Sequence, residues 1–180
     1  MQLIVIRHGQ TDHNVGRVLQ GQRLDDPLNA VGRREAQALV SVLADEHIAA
    51  LYSSPLKRAR ETAEALAGAR LLPIVFRPEL MERDFGELSG QTWEDVMAVH
   101  GGHMQEQNKQ LRYDYTSFGG ESHEQVRARL RQLLEELAAY HGGDAVAAVT
   151  HGGVIRLLHD ELKVELPAHV PNASIHRFEL

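Results

Sequence analysis

Cysteine is absent from the 180 residues, and with it go disulfides, thiolate metal sites, iron–sulfur clusters and every cysteine nucleophile. Any covalent catalysis has to use another atom. No apolar run approaches the roughly 18 to 20 residues that a membrane span needs. Met1-Gln2 leads straight into Leu3-Ile4-Val5-Ile6, without the basic and long apolar regions of a signal peptide. A soluble, cytoplasmic protein with no membrane partner is the expectation. Positive charge is the scarcer sign: 19 Lys and Arg against 25 Asp and Glu leave a net charge of -6. That balance disfavours nucleic acid and anionic membranes as partners, while permitting a local cationic pocket.

What is present is globular in character. A hydrophobic fraction of 43% with 24% charged residues excludes a disordered or low-complexity chain. The length suits one folding unit over 1–180, as a monomer or homodimer. Leu3 to Ile6 and Ala147 to Val149 are unalternated apolar runs, the pattern of strands buried on both faces. Ala49 to Tyr52, Leu72 to Phe76 and Ile175 to Phe178 are further candidate strands. Helical periodicity fills the intervals: Ala30 to Glu46 behind an Asn29 cap, Pro55 to Leu66, and a long stripe from Val126 to Leu137 behind a Ser122/Gln125 capping box. Strands alternating with helices predict a three-layer α/β/α sandwich around a mostly parallel sheet, which binds ligands beyond the carboxyl ends of its strands. Thr92 and Asp95 predict a short helix to His100, and the polar, glycine-punctuated remainder of about 91–120 reads as a lid-like excursion.

Two buried strands end in histidine, at Arg7-His8-Gly9 and Thr150-His151-Gly152, which predicts both imidazoles at one edge of the sheet. The glycine after each suits close backbone approach or a positive φ around an anion. LIVIRHGQTDHN, SSPLKRARETA, LMERDFGELSG and VTHGGVIR, in this order, resemble the four signatures of the histidine phosphatase superfamily, the phosphoglycerate mutase-like proteins. FGGES resembles the family's phosphatase branches. The resemblance runs from Leu3 to about Arg156 and agrees with the predicted sandwich.

The resemblance implies roles residue by residue. His8 matches the nucleophile that becomes phosphohistidine. Arg7 and Arg58 match guanidinium clamps, whose planar forks suit phosphoryl oxygens. His151 matches the second histidine, which supports charge on an equatorial oxygen. Glu82 matches the general acid and base, so better turnover is expected at mildly acidic than at alkaline pH. Asn14, Gln20, Gly21, Arg83 and Gly152 complete the expected phosphate and substrate contacts. No metal or other cofactor is implied. The partners are a small phosphorylated substrate and inorganic phosphate.

Plainer readings stand beside these. Lys57 and Arg60 are ordinary helix charges, Asn14 also suits a turn, and Asp84 is the substitute for Glu82. His100-Gly101-Gly102-His103 lacks the further ligands a metal site needs. His13, His47, His123, His141, His159, His169 and His176 read as surface groups or satisfied partners. Trp93, Tyr113, Tyr115 and Phe118 either line a pocket or pack in a core. Two rival functions remain. A cofactor-dependent phosphoglycerate mutase would carry a lysine where this chain has Trp93, and a paired-arginine insertion where it has only Lys109 and Arg112. A catalytically silent phosphate-binding or scaffold protein is the non-enzymatic alternative.

Overall fold

The run Gln2–Arg7 forms strand β1, whose four central residues are sealed from solvent, as an apolar run without alternation requires. The structure is a computed structural model and describes residues 1–109 and 113–180, without the side chains of 103 and 106–109. Strand β2 spans Ala50–Ser53, β3 Ile74–Phe76, β4 Ala145–Thr150 and β5 Ile175–Glu179. They form one five-stranded sheet in the order β3-β2-β4-β1-β5. All neighbours are parallel except β5, which runs antiparallel to β1 along one edge.

Alternation along the strands divides the core into two. Leu3 and Val5 of β1, with Val146 and Ala148 of β4, face helix α5, His123–Tyr140, and helix α6, Gly152–Glu161. Ile4, Ile6, Ala147 and Val149 face the opposite way, toward α2, Ala30–Val42, and α3, Lys57–Arg70. The result is the predicted sandwich. Each buried Leu of α5 removes a large side chain from water, stabilising the fold by roughly 1.5–3 kcal/mol. Asn29 caps α2 by accepting from Gly32 N at 2.9 Å, and the Ser122/Gln125 box opens α5 with both reciprocal bonds in place. The first helix of the chain, α1, is a single turn over Asp12–Val15.

Several boundaries differ from the sequence expectation. Helix α2 stops at Val42 rather than Glu46, because the Arg70 guanidinium bonds the carbonyls of Leu43 and Glu46 and takes over their termination. Helix α3 begins after Pro55, at Lys57, and continues past Leu66 to Arg70, where Leu71 adopts a left-handed φ of 54°. Helix α4 departs most: it runs Trp93–Lys109, far beyond His100. Thr92 caps it, its hydroxyl accepting from Asp95 N at 3.1 Å. Gly101 and Gly102 each cost a helix about 1 kcal/mol relative to alanine. Val96 and Met104, 0% and 1% exposed, offset this by packing with Leu88 and Tyr115 in a third, separate cluster. Gln110, Leu111 and Arg112 lie outside the described residues. Among those described, no helix is long and apolar enough to cross a membrane.

Candidate active site

Strands β1 and β4 are parallel neighbours in register, Arg7 opposite Thr150. The residue after each strand is therefore carried to the same edge, and the rings of His8 and His151 lie 5.1 Å apart at 58°. His8 Nδ1 is 2.7 Å from the Gly9 carbonyl. A carbonyl only accepts, so Nδ1 carries the proton and a neutral ring keeps its lone pair at Nε2. Burial, reinforced by the positive charges of Arg58 and Arg7, holds the His8 pKa well below the usual histidine value, so the ring is neutral. In His151, Nδ1 accepts from Arg58 Nε at 3.3 Å, which leaves Nε2–H to donate to Ser54 Oγ at 2.8 Å. Burial and then Arg58 likewise depress its pKa.

Arg58 projects from the first turn of α3 and is 1% exposed. Its Nη1 donates to the Leu24 carbonyl at 2.9 Å and its Nη2 to that of Gly21 at 2.7 Å. Burial lowers its pKa to about 10, which still leaves a cation at neutral pH. Arg7 donates through Nη1 to the Val170 carbonyl, while its buried Nε has no partner among the described residues. Around these groups lies a pocket of about 250 Å³ whose wall includes Arg7, His8, Asn14, Gln20, Gly21, Arg58, Glu82 and Gly152. Of the predicted site residues, His151 and Arg83 are not on that wall. His151 is wholly buried against His8. Arg83 faces a neighbouring cavity of about 510 Å³, which shares Leu19, Glu82, Phe85, Gly153 and Arg156 with the pocket.

Glu82 bridges the two spaces. Its Oε2 accepts from Gly153 N in the first turn of α6 at 3.0 Å, and its Oε1 from Arg83 N at 2.9 Å. The Glu82 loop is braced from behind. Arg129 of α5 bonds the carbonyls of Glu79 and Glu82 and pairs with Glu121, which in turn accepts from Asp84 N and Gln22 Nε2. Arg77 ties Glu79 to Glu136 of α5, and those hydrogen bonds hold both carboxylates below the ordinary carboxylate range. Asp84, the substitute candidate, is paired with Arg23 at 2.8 Å and does not line the pocket.

Of the two alternatives expected of the glycines after the histidines, close backbone approach holds at Gly9 and a positive φ at neither Gly9 nor Gly152. A Cβ on Gly9 would stand 2.5 Å from the Gly32 carbonyl oxygen, so this glycine allows β1 to seat against α2. The glycine that bears on the acid is Gly153, where a Cβ would lie 2.4 Å from Glu82 Oε1. Gly21, with φ of 56°, turns its carbonyl onto Arg58. Asn14 does serve a turn: its Oδ1 accepts from Thr11 N at 3.0 Å and from Asn172 Nδ2 at 3.1 Å, at the pocket wall.

Ser54, Gly153, Arg156 and His123 were not singled out by pattern. Ser54 stood in the SSP turn after β2, and Arg156 one helical turn beyond the glycine pair, which is the only signal either offered. His123 is a correction: it is buried and lines the larger cavity, with Nδ1 unpartnered among the described residues. His169, though exposed, lines the pocket mouth. His100 packs edge-on against Phe118, 4.9 Å between centroids. Trp93, Tyr113 and Tyr115 line the larger cavity.

Over residues 3–180 the chain matches the family profile described as Histidine phosphatase superfamily (branch 1). It belongs to that family. Among its relatives, the glucosyl-3-phosphoglycerate phosphatase of Mycobacterium tuberculosis is 36% identical over 165 residues, 87% of this chain and 73% of that one. The metal-independent phosphoserine phosphatase of Arabidopsis thaliana is 36% identical over 164 residues, 88% of this chain and 67% of that one. Solved structures agree on the fold. A mycobacterial glucosyl-3-phosphoglycerate phosphatase in complex with VO3 superposes with a TM-score of 0.85 at 34% identity, covering 98% of this chain and 91% of that one. A phosphoglycerate mutase from Bacillus anthracis gives 0.88 at 27% identity, covering 98% and 86%.

Proposed function

We propose that this histidine phosphatase hydrolyses monoesters of small phosphorylated metabolites in the cytoplasm, without a metal, through a phosphohistidine on His8. The observation that carries the reading is the state of His8: a neutral imidazole with its Nδ1 proton fixed by the Gly9 carbonyl, on the wall of a pocket that Arg7, Arg58 and Glu82 share. A neutral nitrogen with a free lone pair is the form that attacks phosphorus. The guanidiniums take the charge of the phosphoryl oxygens, work that preorganised donors do at a few kcal/mol each, on the order of 3. His151, against the His8 ring, is assigned the second imidazole's part in supporting that charge.

In the first step the His8 Nε2–P bond forms and the ester P–O bond breaks, and protonated Glu82 gives its proton to the departing alkoxide. In the second, water loses a proton to the Glu82 carboxylate and attacks phosphorus, the N–P bond breaks, and inorganic phosphate leaves. Asn14, Gln20, Gly21 and Gly152 complete the wall around the phosphoryl group. The 91–120 excursion contributes Trp93, Tyr113 and Tyr115 to the space beyond Glu82, where the leaving group extends. That Trp93 lines this space, where the resemblance gives mutases a lysine, favours hydrolysis over mutase chemistry. Arg112 falls outside the described residues, and the side chain of Lys109 is not described.

Hydrolysis of p-nitrophenyl phosphate by wild type and His8→Ala tests the reading. The variant is expected to lose about a thousandfold or more in kcat, and quenched wild type should hold acid-labile, base-stable phosphate on His8. Equal activity in both proteins would remove His8 as nucleophile. Net interconversion of 3- and 2-phosphoglycerate faster than hydrolysis, with 2,3-bisphosphoglycerate present, would make the protein a mutase.

A further inference from the structure

When Nε2 of a neutral imidazole bonds phosphorus while Nδ1 keeps its proton, the ring itself becomes positively charged. His8 is badly placed for that change. It is 3% exposed, and burial, then the cations Arg58 and Arg7, disfavour a charged ring there. The Nδ1–H is the ring group that can pass the new charge outward, and it donates to the Gly9 carbonyl at 2.7 Å. The other side of that peptide is also engaged. Its N–H, on Gln10, donates to Oε2 of Glu35 at 2.7 Å.

The whole turn from His8 to Gln10 is held by its backbone. The His8 carbonyl accepts from Ala173 N at 3.2 Å and from Asn172 Nδ2 at 3.1 Å. Gly9 N donates to Thr62 Oγ1 at 3.1 Å, and that hydroxyl donates onward to the Arg58 carbonyl at 2.7 Å. The Gln10 carbonyl accepts from Asn29 N at 3.0 Å. Of these partners only Glu35 brings a negative charge. Helix α2 comes close enough to supply it because position 32 is glycine, where a Cβ would run into the Gln10 carbonyl oxygen and nitrogen. Glu35, three residues further along the same helix face, then sets its half-buried side chain against the Gln10 N–H.

We propose that Glu35 is a positioning residue for phosphoryl transfer: through the Gly9–Gln10 peptide it strengthens the carbonyl that holds the Nδ1 proton, and so stabilises the charge His8 acquires as its Nε2–P bond forms. This role rests on the phosphohistidine reading above and adds a residue that lies outside the pocket wall. Hydrogen bonds in a chain polarise one another, the more so away from water. A carboxylate at the N–H of a peptide pushes electron density toward its carbonyl oxygen, which then draws more strongly on the imidazole proton. Electron density at Nε2 rises accordingly, before attack and in the phosphorylated ring. Glu35 also attracts the Arg7 cation through space, a second route that the measurements must separate from the first.

Glu35→Ala removes both the acceptor and the charge, whereas Glu35→Gln keeps an oxygen for the Gln10 N–H and loses only the charge, so it tests the role even if the alanine variant folds poorly. For p-nitrophenyl phosphate, kcat/KM is expected to fall about tenfold or more in Glu35→Ala and by a smaller factor in Glu35→Gln. The Ki of inorganic phosphate, which reads the pocket, should stay near its wild-type value. In spectra of protein carrying 15N-histidine, the His8 Nδ1 proton, assigned by its loss in His8→Asn, should move upfield in both variants as its bond weakens. Glu61→Gln is the control: Glu61 is another half-buried carboxylate that accepts from a backbone N–H, that of Leu28 at 3.1 Å, and its loss should change none of the three readouts. Wild-type kcat/KM in both Glu35 variants would overturn the role, and so would a proton resonance that stays in place. A fall in kcat/KM matched by weaker phosphate binding, with the resonance unmoved, would assign the effect to Arg7 instead. Equal losses in Glu61→Gln would reduce it to general destabilisation. Failure of wild type to hydrolyse p-nitrophenyl phosphate would strike the phosphatase reading itself and this role with it.

Discussion

At Arg58 a single side chain performs structural and electrostatic work that lysine cannot copy. Its three nitrogens reach Gly21, Leu24 and His151 at once, two partners in the turn that holds Gly21 and Leu24 and the third at the end of β4. An ammonium on a flexible stem satisfies at most part of this set. Arg58→Lys is expected to lower kcat/KM for p-nitrophenyl phosphate by about a hundredfold, and to cost about 1–3 kcal/mol in urea unfolding through the carbonyls left unpaired. Retention of both would show that charge alone suffices. The residue beside it sets the pH response. The pKa of His8 is held well below 6.5 by burial and the two arginines, so the free enzyme keeps its neutral nucleophile as pH falls through 6.5. The acid limb of the kcat/KM profile should therefore appear well under that value. A limb at or above 6.5 would mean that His8 titrates as an exposed histidine does. Cysteine's absence required only that another atom serve, and it was the resemblance that named His8. The tautomer that makes Nε2 available depends on the Gly9 carbonyl, a contact no sequence motif states.

Elements were legible in proportion to how local their causes are. Strands β1 and β4 are apolar without alternation, and their parallel pairing brings His8 and His151 together as the sequence implied. The capping box of α5 is likewise a local signal. Helix α4 was read short because glycines and polar residues weaken its own propensity, whereas Val96 and Met104 hold it through tertiary packing. Arg83 and Arg156 could be separated from ordinary charges only by where their helix and loop are placed in space. Two glycine substitutions test the distinction between a glycine required by the fold and one tolerated by it. A Cβ at Gly102 meets nothing within 4 Å, so Gly102→Ala should stabilise α4 by about 0.5–1 kcal/mol, read as a higher urea midpoint. Gly153→Ala puts a methyl 2.4 Å from Glu82 Oε1 and must displace the acid. Misplacing a catalytic group by this kind of distance costs on the order of tenfold to a hundredfold. The loss should be greater for glycerol 3-phosphate than for p-nitrophenyl phosphate, since nitrophenolate departs without needing a proton. Equal losses on both esters would mean that the methyl disturbs the phosphate pocket rather than the acid.

Across the whole molecule the net charge of -6 conceals an edge of the sheet where Arg7, Arg58, Arg83 and Arg156 surround two neutral histidines. Such an arrangement ties stability to pH. In the unfolded chain His8 and His151 titrate near 6.5, while in the fold burial and neighbouring arginines depress both, and burial depresses His123 and His176 as well. Below 6.5 the unfolded chain therefore binds protons that the native state does not, and stability must fall as pH falls. Above 6.5 both states hold neutral imidazoles, and this penalty vanishes. The carboxylates follow at lower pH: Glu79, Glu136 and Glu161, lowered by their arginine partners except for the opposing effect of burial, contribute above 4.5 and lose that contribution as pH drops through their folded values. Urea midpoints should therefore decline between about pH 7.5 and 5.5, before the carboxylates titrate, and decline again below about 4.5. His151→Asn removes one depressed group and should flatten the first decline while leaving the second. Inorganic phosphate bound only by the folded pocket should raise the midpoint at every pH, by about 2.7 kcal/mol at a hundred times its Kd. A midpoint level from about pH 7.5 to 5.5 in wild type would mean that the histidines titrate alike in both states, which is incompatible with a buried neutral nucleophile held between two guanidiniums.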